Sequence, residues 1–204
     1  IADLAIRHDL IIVADEIYGR MIYAPNEHLS IATLKGMRER TITLNGFSKT
    51  YSMTGWRVGY LAAPAELVEM LVEPRHTLSI NTCTISQYAA LAALTGPQEP
   101  IDAMIDEYAE RRAWLMPALT EAGFSYGHPG GAFYIYTNVS TAGLPSPLFC
   151  ERLLQETGVM LFPGTMFGDE STDYIRISYL QPLPMIKEAM ERIASFTSSA
   201  RAAQ

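Results

Sequence analysis

Lys49 stands in Asn45-Gly46-Phe47-Ser48-Lys49-Thr50, directly after the apolar stretch Thr41-Ile42-Thr43-Leu44, and Gly55-Trp56-Arg57-Val58-Gly59 follows shortly after it. A primary amine at the mouth of a strand can attack a carbonyl carbon once it has lost its proton, and partial burial or neighbouring cations promote that loss. Upstream, Leu10-Ile11-Ile12-Val13-Ala14 runs into Asp15-Glu16-Ile17-Tyr18. A second apolar strand therefore delivers a carboxylate and a phenol at its C-terminal end. Ligands of open α/β sheets bind outside the carboxyl ends of the strands. Asp15, Tyr18, Ser48, Lys49 and, after a turn, Arg57 all fall there.

Each of these groups suits a different part of one ligand. Arg57 offers a planar fork for a bidentate phosphate contact, and the Ser48 hydroxyl is a further donor. The Asp15 carboxylate can pair with a pyridinium N–H and keep that ring nitrogen protonated, so that the ring accepts electrons from a forming carbanion. The Tyr18 hydroxyl can donate to a phenolate oxygen on the same ring. An aldehyde for Lys49, a phosphate and a basic ring nitrogen together describe pyridoxal phosphate.

Plainer readings compete at each position. Ser48-Lys49-Thr50 alone is a solvated turn, and only its order with the Asp-Glu-x-Tyr and Gly-Trp-Arg-x-Gly segments favours function. It is not a nucleotide-binding phosphate loop, because the required glycine spacing before the lysine is absent. Glu16 is expected to cap the following turn, and Met53, Trp56 and Phe133 to serve packing. Arg176, flanked by Ile175 and Ile177, needs an anion, which is either an internal carboxylate or part of a ligand. Gly130 and Gly131 form a turn or allow close backbone approach.

These groups need a scaffold. The pattern predicts short apolar strands at Ile11–Asp15, Thr41–Asn45 and Val58–Ala63, the last ended by Pro64. Strands apolar throughout suit a sheet covered on both faces by helices. From Ala65 to about Gly123 the period turns helical, with breaks at Gly96-Pro97 and Gly123. Leu67, Met70 and Leu71 are expected to share one apolar face, Tyr88, Leu91 and Ala92 another, and Tyr108, Arg111, Arg112, Leu115 and Leu119 a third. After the glycines at 127, 130 and 131, alternation over Ala132–Tyr136 predicts a strand. A helix over Pro147–Thr157, strands at Val159–Phe162 and Tyr174–Ser178, and a closing helix after Pro184 complete the chain. The expected class is α/β, with a larger sheet domain over residues 1–105 and a smaller α/β domain over 106–204. Ile1–Arg7 reads as the last turns of an amphipathic helix without initiator Met or cap, so the chain is expected to begin in mid-element.

Composition bounds what remains. With 204 residues, 49% hydrophobic and 18% charged, the chain can bury a substantial core and is not of the disordered class. A net charge of -7 disfavours a nucleic-acid partner, and no apolar run is long enough for a membrane helix. Cys83 and Cys150 are isolated and the four histidines scattered. Neither a disulfide framework nor a metal site is expected, and a reducing, cytoplasmic compartment is.

Taken in order, Asp15-Glu16-Ile17-Tyr18, the run Asn45 to Tyr60, Pro129-Gly130-Gly131-Ala132-Phe133-Tyr134, Phe162-Pro163-Gly164 and Ile175-Arg176-Ile177-Ser178 resemble the successive motifs of class I/II aminotransferases of fold type I. The resemblance covers nearly all of the chain and implies a pyridoxal phosphate enzyme, with Lys49 forming the Schiff base and shuttling the proton. It implies Asp15 as the partner of the pyridine nitrogen, Tyr18 as the partner of the ring oxygen, Ser48 and Arg57 as phosphate ligands, and Arg176 as the clamp on the substrate's α-carboxylate. Amino acids and 2-oxo acids would be the substrates, and a homodimer the assembly. The family's Asn-Pro-Gly segment, its glycine-led phosphate loop and its ring-stacking aromatic would all lie before Ile1, so the chain resembles the C-terminal half of such an enzyme: the C-terminal part of the large three-layer sheet domain and the small domain. A C–S lyase or synthase on the same residues is the nearest alternative. A pyridoxal phosphate-binding sensor domain of a transcription regulator is the non-catalytic one.

Overall fold

The computed structural model describes residues 1–168 and 170–202. The chain forms two compact units, Ile1–Asp102 and Ala103–Gln204, with the boundary in the first turn of a long helix.

The first unit opens with helix α1 (Ala2–Arg7) and three strands, β1 (Ile12–Asp15), β2 (Thr41–Gly46) and β3 (Gly59–Ala62). Their order is β1-β2-β3. β1 and β2 are parallel, with Asp15 opposite Leu44, whereas β3 returns antiparallel, with Gly59 opposite Gly46. The C-terminal ends of β1 and β2 therefore share one edge of the sheet with the N-terminal end of β3. Gly46 and Gly59 make that junction possible, because a Cβ on Gly46 would lie 3.2 Å from the Gly59 Cα and one on Gly59 would lie 3.0 Å from the Asn45 carbonyl oxygen. Phe47, buried just beyond, packs its ring 5.3 Å from Tyr51 and 6.0 Å from Tyr60.

Helices α2 (Ala65–Ser79) and α3 (Thr84–Thr95) follow, and α4 (Glu99–Glu121) crosses into the second unit with acidic Glu99 and Asp102 in its first turn, where they complement the helix dipole. The helical stretch breaks at Gly96-Pro97 and Gly123 as its punctuation predicts, and also at Ile80, whose backbone takes φ 45°. The apolar faces expected on α2 and α3 stand largely open. Tyr88 is 70% exposed and Leu91 56%, and on α3 it is Ser86 and Ala90 that are buried. Val13 is likewise 63% exposed, so among the described residues β1 to β3 are not covered on both faces.

The second unit is an antiparallel sheet with strands β4 (Ser125–Tyr126), β5 (Tyr134–Asn138), β6 (Phe162–Pro163) and β7 (Tyr174–Ser178), in the order β4-β5-β7-β6. β5 begins two residues later than the alternation predicts because Ala132 adopts φ 59°, which no strand accommodates. Of the apolar run at Val159–Phe162 only Phe162 pairs with β7, followed in β6 by Pro163. Alternation assigns the two faces. Ile135, Thr137, Ile175 and Ile177 are buried, and helices α5 (Ser146–Thr157) and α6 (Leu183–Ala202) carry the core's other half in Phe149, Leu153, Ile193 and Phe196. The Phe149 ring meets Phe196 at 5.4 Å and Phe124 at 6.1 Å, both edge-on.

Two arginines of α4, expected on a helical face with Tyr108, Leu115 and Leu119, are buried. Arg111 donates to the carbonyls of Tyr179 and Leu180 at 3.4 and 2.6 Å and pairs with Glu107, and Arg112 donates to the Pro129 carbonyl at 2.6 Å. Their charges are met by backbone dipoles at the end of β7 and before β5, which is why such polar residues can occupy the interior.

Candidate active site

The edge where β1, β2 and β3 meet carries five of the six residues singled out in the sequence. Asp15 ends β1, and its Oδ1 accepts a hydrogen bond from the Ile17 amide at 3.1 Å. That contact closes the turn leading to Tyr18, so Asp15 takes the capping role expected of Glu16. Glu16 instead reaches His28, with Oε2 3.0 Å from Nε2, and ties the following loop to the end of β1.

Ser48, Lys49 and Thr50 form a tight turn after β2. The Tyr51 and Met53 amides both donate to the Phe47 carbonyl, at 3.3 and 3.1 Å, and the Ser52 amide donates to that of Lys49 at 3.2 Å. Lys49 is half-buried, and its Nζ lies 6.0 Å over the Tyr18 ring. The amine and phenol brought together by separate strand ends are thus neighbours. Before β3, Arg57 takes the left-handed conformation, φ 50° and ψ 47°, and its Nη1 donates to the Thr54 carbonyl at 3.0 Å. Ser52 shares that backbone region at φ 52°. Two non-glycine residues in left-handed geometry between Lys49 and β3 mark a segment held in a costly conformation, of the kind that concentrates at functional sites. Nothing in the side-chain pattern reveals it. Trp56, expected to pack, is 45% exposed, while Phe133 is buried as expected.

Supporting contacts escape the sequence altogether. Arg20 donates to Gln98 at 2.9 Å and pairs with Asp102 at 2.8 Å, and the Tyr51 hydroxyl donates to the same Gln98 side chain at 3.3 Å. This network ties the turn after Lys49 to the start of α4. Its contacts join residues 47 to 82 positions apart in the chain, beyond the reach of local spacing.

In the second unit, Arg176 lies in the middle of β7, opposite Tyr136 on β5 and Phe162 on β6. Its guanidinium carbon sits 4.0 Å from the ring centre of Phe167, 4.5 Å from that of Tyr134 and 5.5 Å from that of Phe162. Among the described residues no carboxylate forms an ion pair with it. The internal ion pair that was its structural alternative is therefore not found among them. Gly164 enters the loop after β6 at very close quarters, where an added Cβ would lie 2.5 Å from the Ser171 carbonyl oxygen, 2.6 Å from the Tyr136 hydroxyl and 2.7 Å from the Tyr174 carbonyl oxygen.

The two thiols differ. Backbone N–H groups of Ser86 and Ile85 at the start of α3 hold the exposed Cys83 below the ordinary thiol range, while burial pushes Cys150 up to about 11. Burial likewise raises the Tyr108 phenol, beside Phe133 and Arg111. No group of three or more His, Cys, Asp or Glu suited to a metal ion occurs among the described residues, and no helix among them is long and apolar enough to cross a membrane.

The family model for aminotransferase class I and II matches residues 1–193. An aspartate aminotransferase of Pyrococcus abyssi is 43% identical over 195 residues, which are 95% of this chain and 50% of that protein. An aromatic-amino-acid aminotransferase of Thermococcus litoralis is 43% identical over 197 residues, with the same coverage. The crystal structure of an aromatic aminotransferase from Pyrococcus horikoshii superposes with a TM-score of 0.92 at 42% identity, covering 97% of this chain and 53% of that one. The chain spans about half the length of the curated relatives it matches. With a family model over almost its whole length, this chain belongs to the class I and II aminotransferases.

Proposed function

We propose that the protein carrying this chain is a pyridoxal phosphate-dependent aminotransferase that moves an amino group between an amino acid and a 2-oxo acid. What supports the reading most is the sheet topology: two parallel strands and one antiparallel return bring to one edge the strand ends next to which Asp15, Lys49 and Arg57 stand. A carboxylate, an amine and a guanidinium so grouped fit the three chemically distinct ends of that cofactor. In this reading residues 1–105 are the C-terminal part of the cofactor-binding domain and residues 106–204 the small domain.

When bound, pyridoxal phosphate supplies an aldehyde for the Lys49 amine and a ring that accepts electrons from the α-carbon of the substrate. The protein groups divide the remaining work. The Asp15 carboxylate holds a proton on the ring nitrogen, and the Tyr18 hydroxyl donates to the ring oxygen. The Ser48 hydroxyl and the Arg57 fork hold the phosphate, with Arg57 already oriented by its bond to the Thr54 carbonyl. Lys49 carries the proton to and from the α-carbon at its Nζ. Arg176, half-buried and without an acidic partner among the described residues, clamps the α-carboxylate. The open apolar side chains of α3, such as Tyr88 and Leu91, fit a homodimer, and the isolated Cys83 and Cys150 fit a reducing cytoplasm.

The test is transamination by the 204-residue chain beside the longer natural protein, each with excess pyridoxal phosphate and a panel of amino donors. Turnover by the longer protein, with little or none from this chain, is expected, because the chain spans only half the length of its relatives. Absence of turnover from both, with release of a thiol or of ammonia instead, would overturn the aminotransferase reading in favour of a lyase.

A further inference from the structure

A half-buried arginine in a strand ordinarily finds a carboxylate, since the cost of moving its charge out of water must be offset. Arg176 finds three rings. Phe167, Tyr134 and Phe162 place their ring centres 4.0, 4.5 and 5.5 Å from its guanidinium carbon. Among the described residues no ion pair or side-chain hydrogen bond engages that group. Glu188, which lines the same groove of about 480 Å³, is committed to Arg192.

The two kinds of partner leave the arginine in different states. A carboxylate neutralises the charge and occupies the donor fork. An aromatic face attracts the cation through its quadrupole and fixes the plane of the guanidinium, while all five N–H donors, which lie in that plane, stay uncommitted. Sheet register supplies two of the rings. Phe162 is directly opposite Arg176 on β6, and Tyr134 is its diagonal neighbour on β5. Phe167, the nearest, comes from the loop after β6 and is 48% exposed, so it is not a core residue.

We infer that Phe167, with Phe162 and Tyr134, is a positioning residue that holds the Arg176 guanidinium by its faces and keeps its donor edge open to the carboxylate of an amino or oxo acid. The inference rests on the proposed role of Arg176 as the carboxylate clamp and adds how that clamp stays oriented with its donor edge open to a ligand.

Two measurements test it. In the 15N-labelled 204-residue chain, the Arg176 Nε–Hε resonance, assigned by its loss in Arg176→Lys, should be shifted upfield by ring shielding and should respond to titration with propionate. Phe167→Leu should remove most of that shift and weaken propionate about fivefold, the loss of one partly desolvated cation–π contact, whereas Phe167→Tyr should keep both. In the longer natural protein loaded with cofactor, Phe167→Leu should raise KM for the amino donor by about the same factor and leave kcat within about twofold, because the ring acts on carboxylate binding and not on proton transfer. An unchanged resonance and unchanged propionate affinity in Phe167→Leu would overturn the inference even if the wild type transaminates. The expected resonance and propionate changes in a protein that does not transaminate would support the cradle and overturn the aminotransferase reading alone.

Discussion

Gly164→Ala is the substitution whose outcome the structure decides most sharply. Gly164 does not have a positive φ, so an alanine meets no backbone strain of its own and gains about 0.4–1 kcal/mol from a stiffer unfolded chain. Against that stands the space. The new methyl would lie 2.5 and 2.7 Å from two backbone carbonyl oxygens, those of Ser171 and Tyr174, and 2.6 Å from the Tyr136 hydroxyl. An ordinary contact needs 3.4 Å or more, so two backbone segments must move by several tenths of an ångström. Tyr136 cannot simply swing aside, because its ring is stacked on Tyr174 at 5.1 Å. Overpacking of this kind costs about 1–3 kcal/mol, which exceeds the entropic gain. The net expectation is a loss of about 1–2 kcal/mol, or roughly 2–8 °C in Tm for a chain of this size. Thermal unfolding of the 204-residue chain measures it, with Gly55→Ala as control, since nothing lies within 4 Å of a Cβ there. Stability equal to that of the control would refute the steric argument. Since Gly164 lies between Phe162 and Phe167, KM for the amino donor should rise with the instability.

Other outcomes follow from single residues. Lys49→Ala should abolish covalent retention of pyridoxal phosphate after borohydride treatment of the longer protein, since neither of this chain's other lysines, Lys35 and Lys187, lies in the turn after β2. Retention in the variant would remove Lys49 from its proposed role. Arg176→Lys keeps the charge and loses the fork, so donor binding should weaken by about 1.5–3 kcal/mol with cofactor affinity little changed, and equal loss of both would assign Arg176 a structural role instead. Iodoacetamide near neutral pH should modify Cys83 well before Cys150, and mass mapping showing the reverse would contradict the burial of Cys150. The folded chain holds the Cys150 proton up to about 11, whereas the unfolded thiol releases it near 9.0. That contribution to stability is complete below pH 9.0 and is lost as the pH rises to about 11, a component that denaturant titrations of Cys150→Ala should lack.

The parts of the fold that local pattern controls were legible in the sequence. Strand β7 matches its alternation residue for residue, and α3 and α4 end at Thr95 and Glu121, within two residues of the breaks expected at Gly96 and Gly123. The positions of Asp15 and Lys49 were legible for the same reason, because Asp15 ends one apolar strand and Lys49 follows shortly after another. What failed depended on partners distant in sequence. The face of Tyr88 and Leu91 is apolar yet open, since periodicity states what a helix can bury and not what reaches it. Arg111 and Arg112 read as an ordinary helical face until the carbonyls that receive them are seen. Phe167 carried no signal, because its loop contact with Arg176 follows from no period or register.

The left-handed turn at Arg57 and the close meeting of Gly46 with Gly59 have a consequence for affinity. Between Lys49 and Arg57 the chain makes a short excursion whose base is clasped by the pairing of β2 with β3 and by the Phe47 amide donating to the Val58 carbonyl at 3.4 Å. The entropy of bringing those two side chains together is spent when the strands pair, before any ligand arrives. A molecule that engages both the amine and the guanidinium therefore meets a preorganised pair of anchors, and keeps more of its binding free energy than it would on a loop that had to close around it.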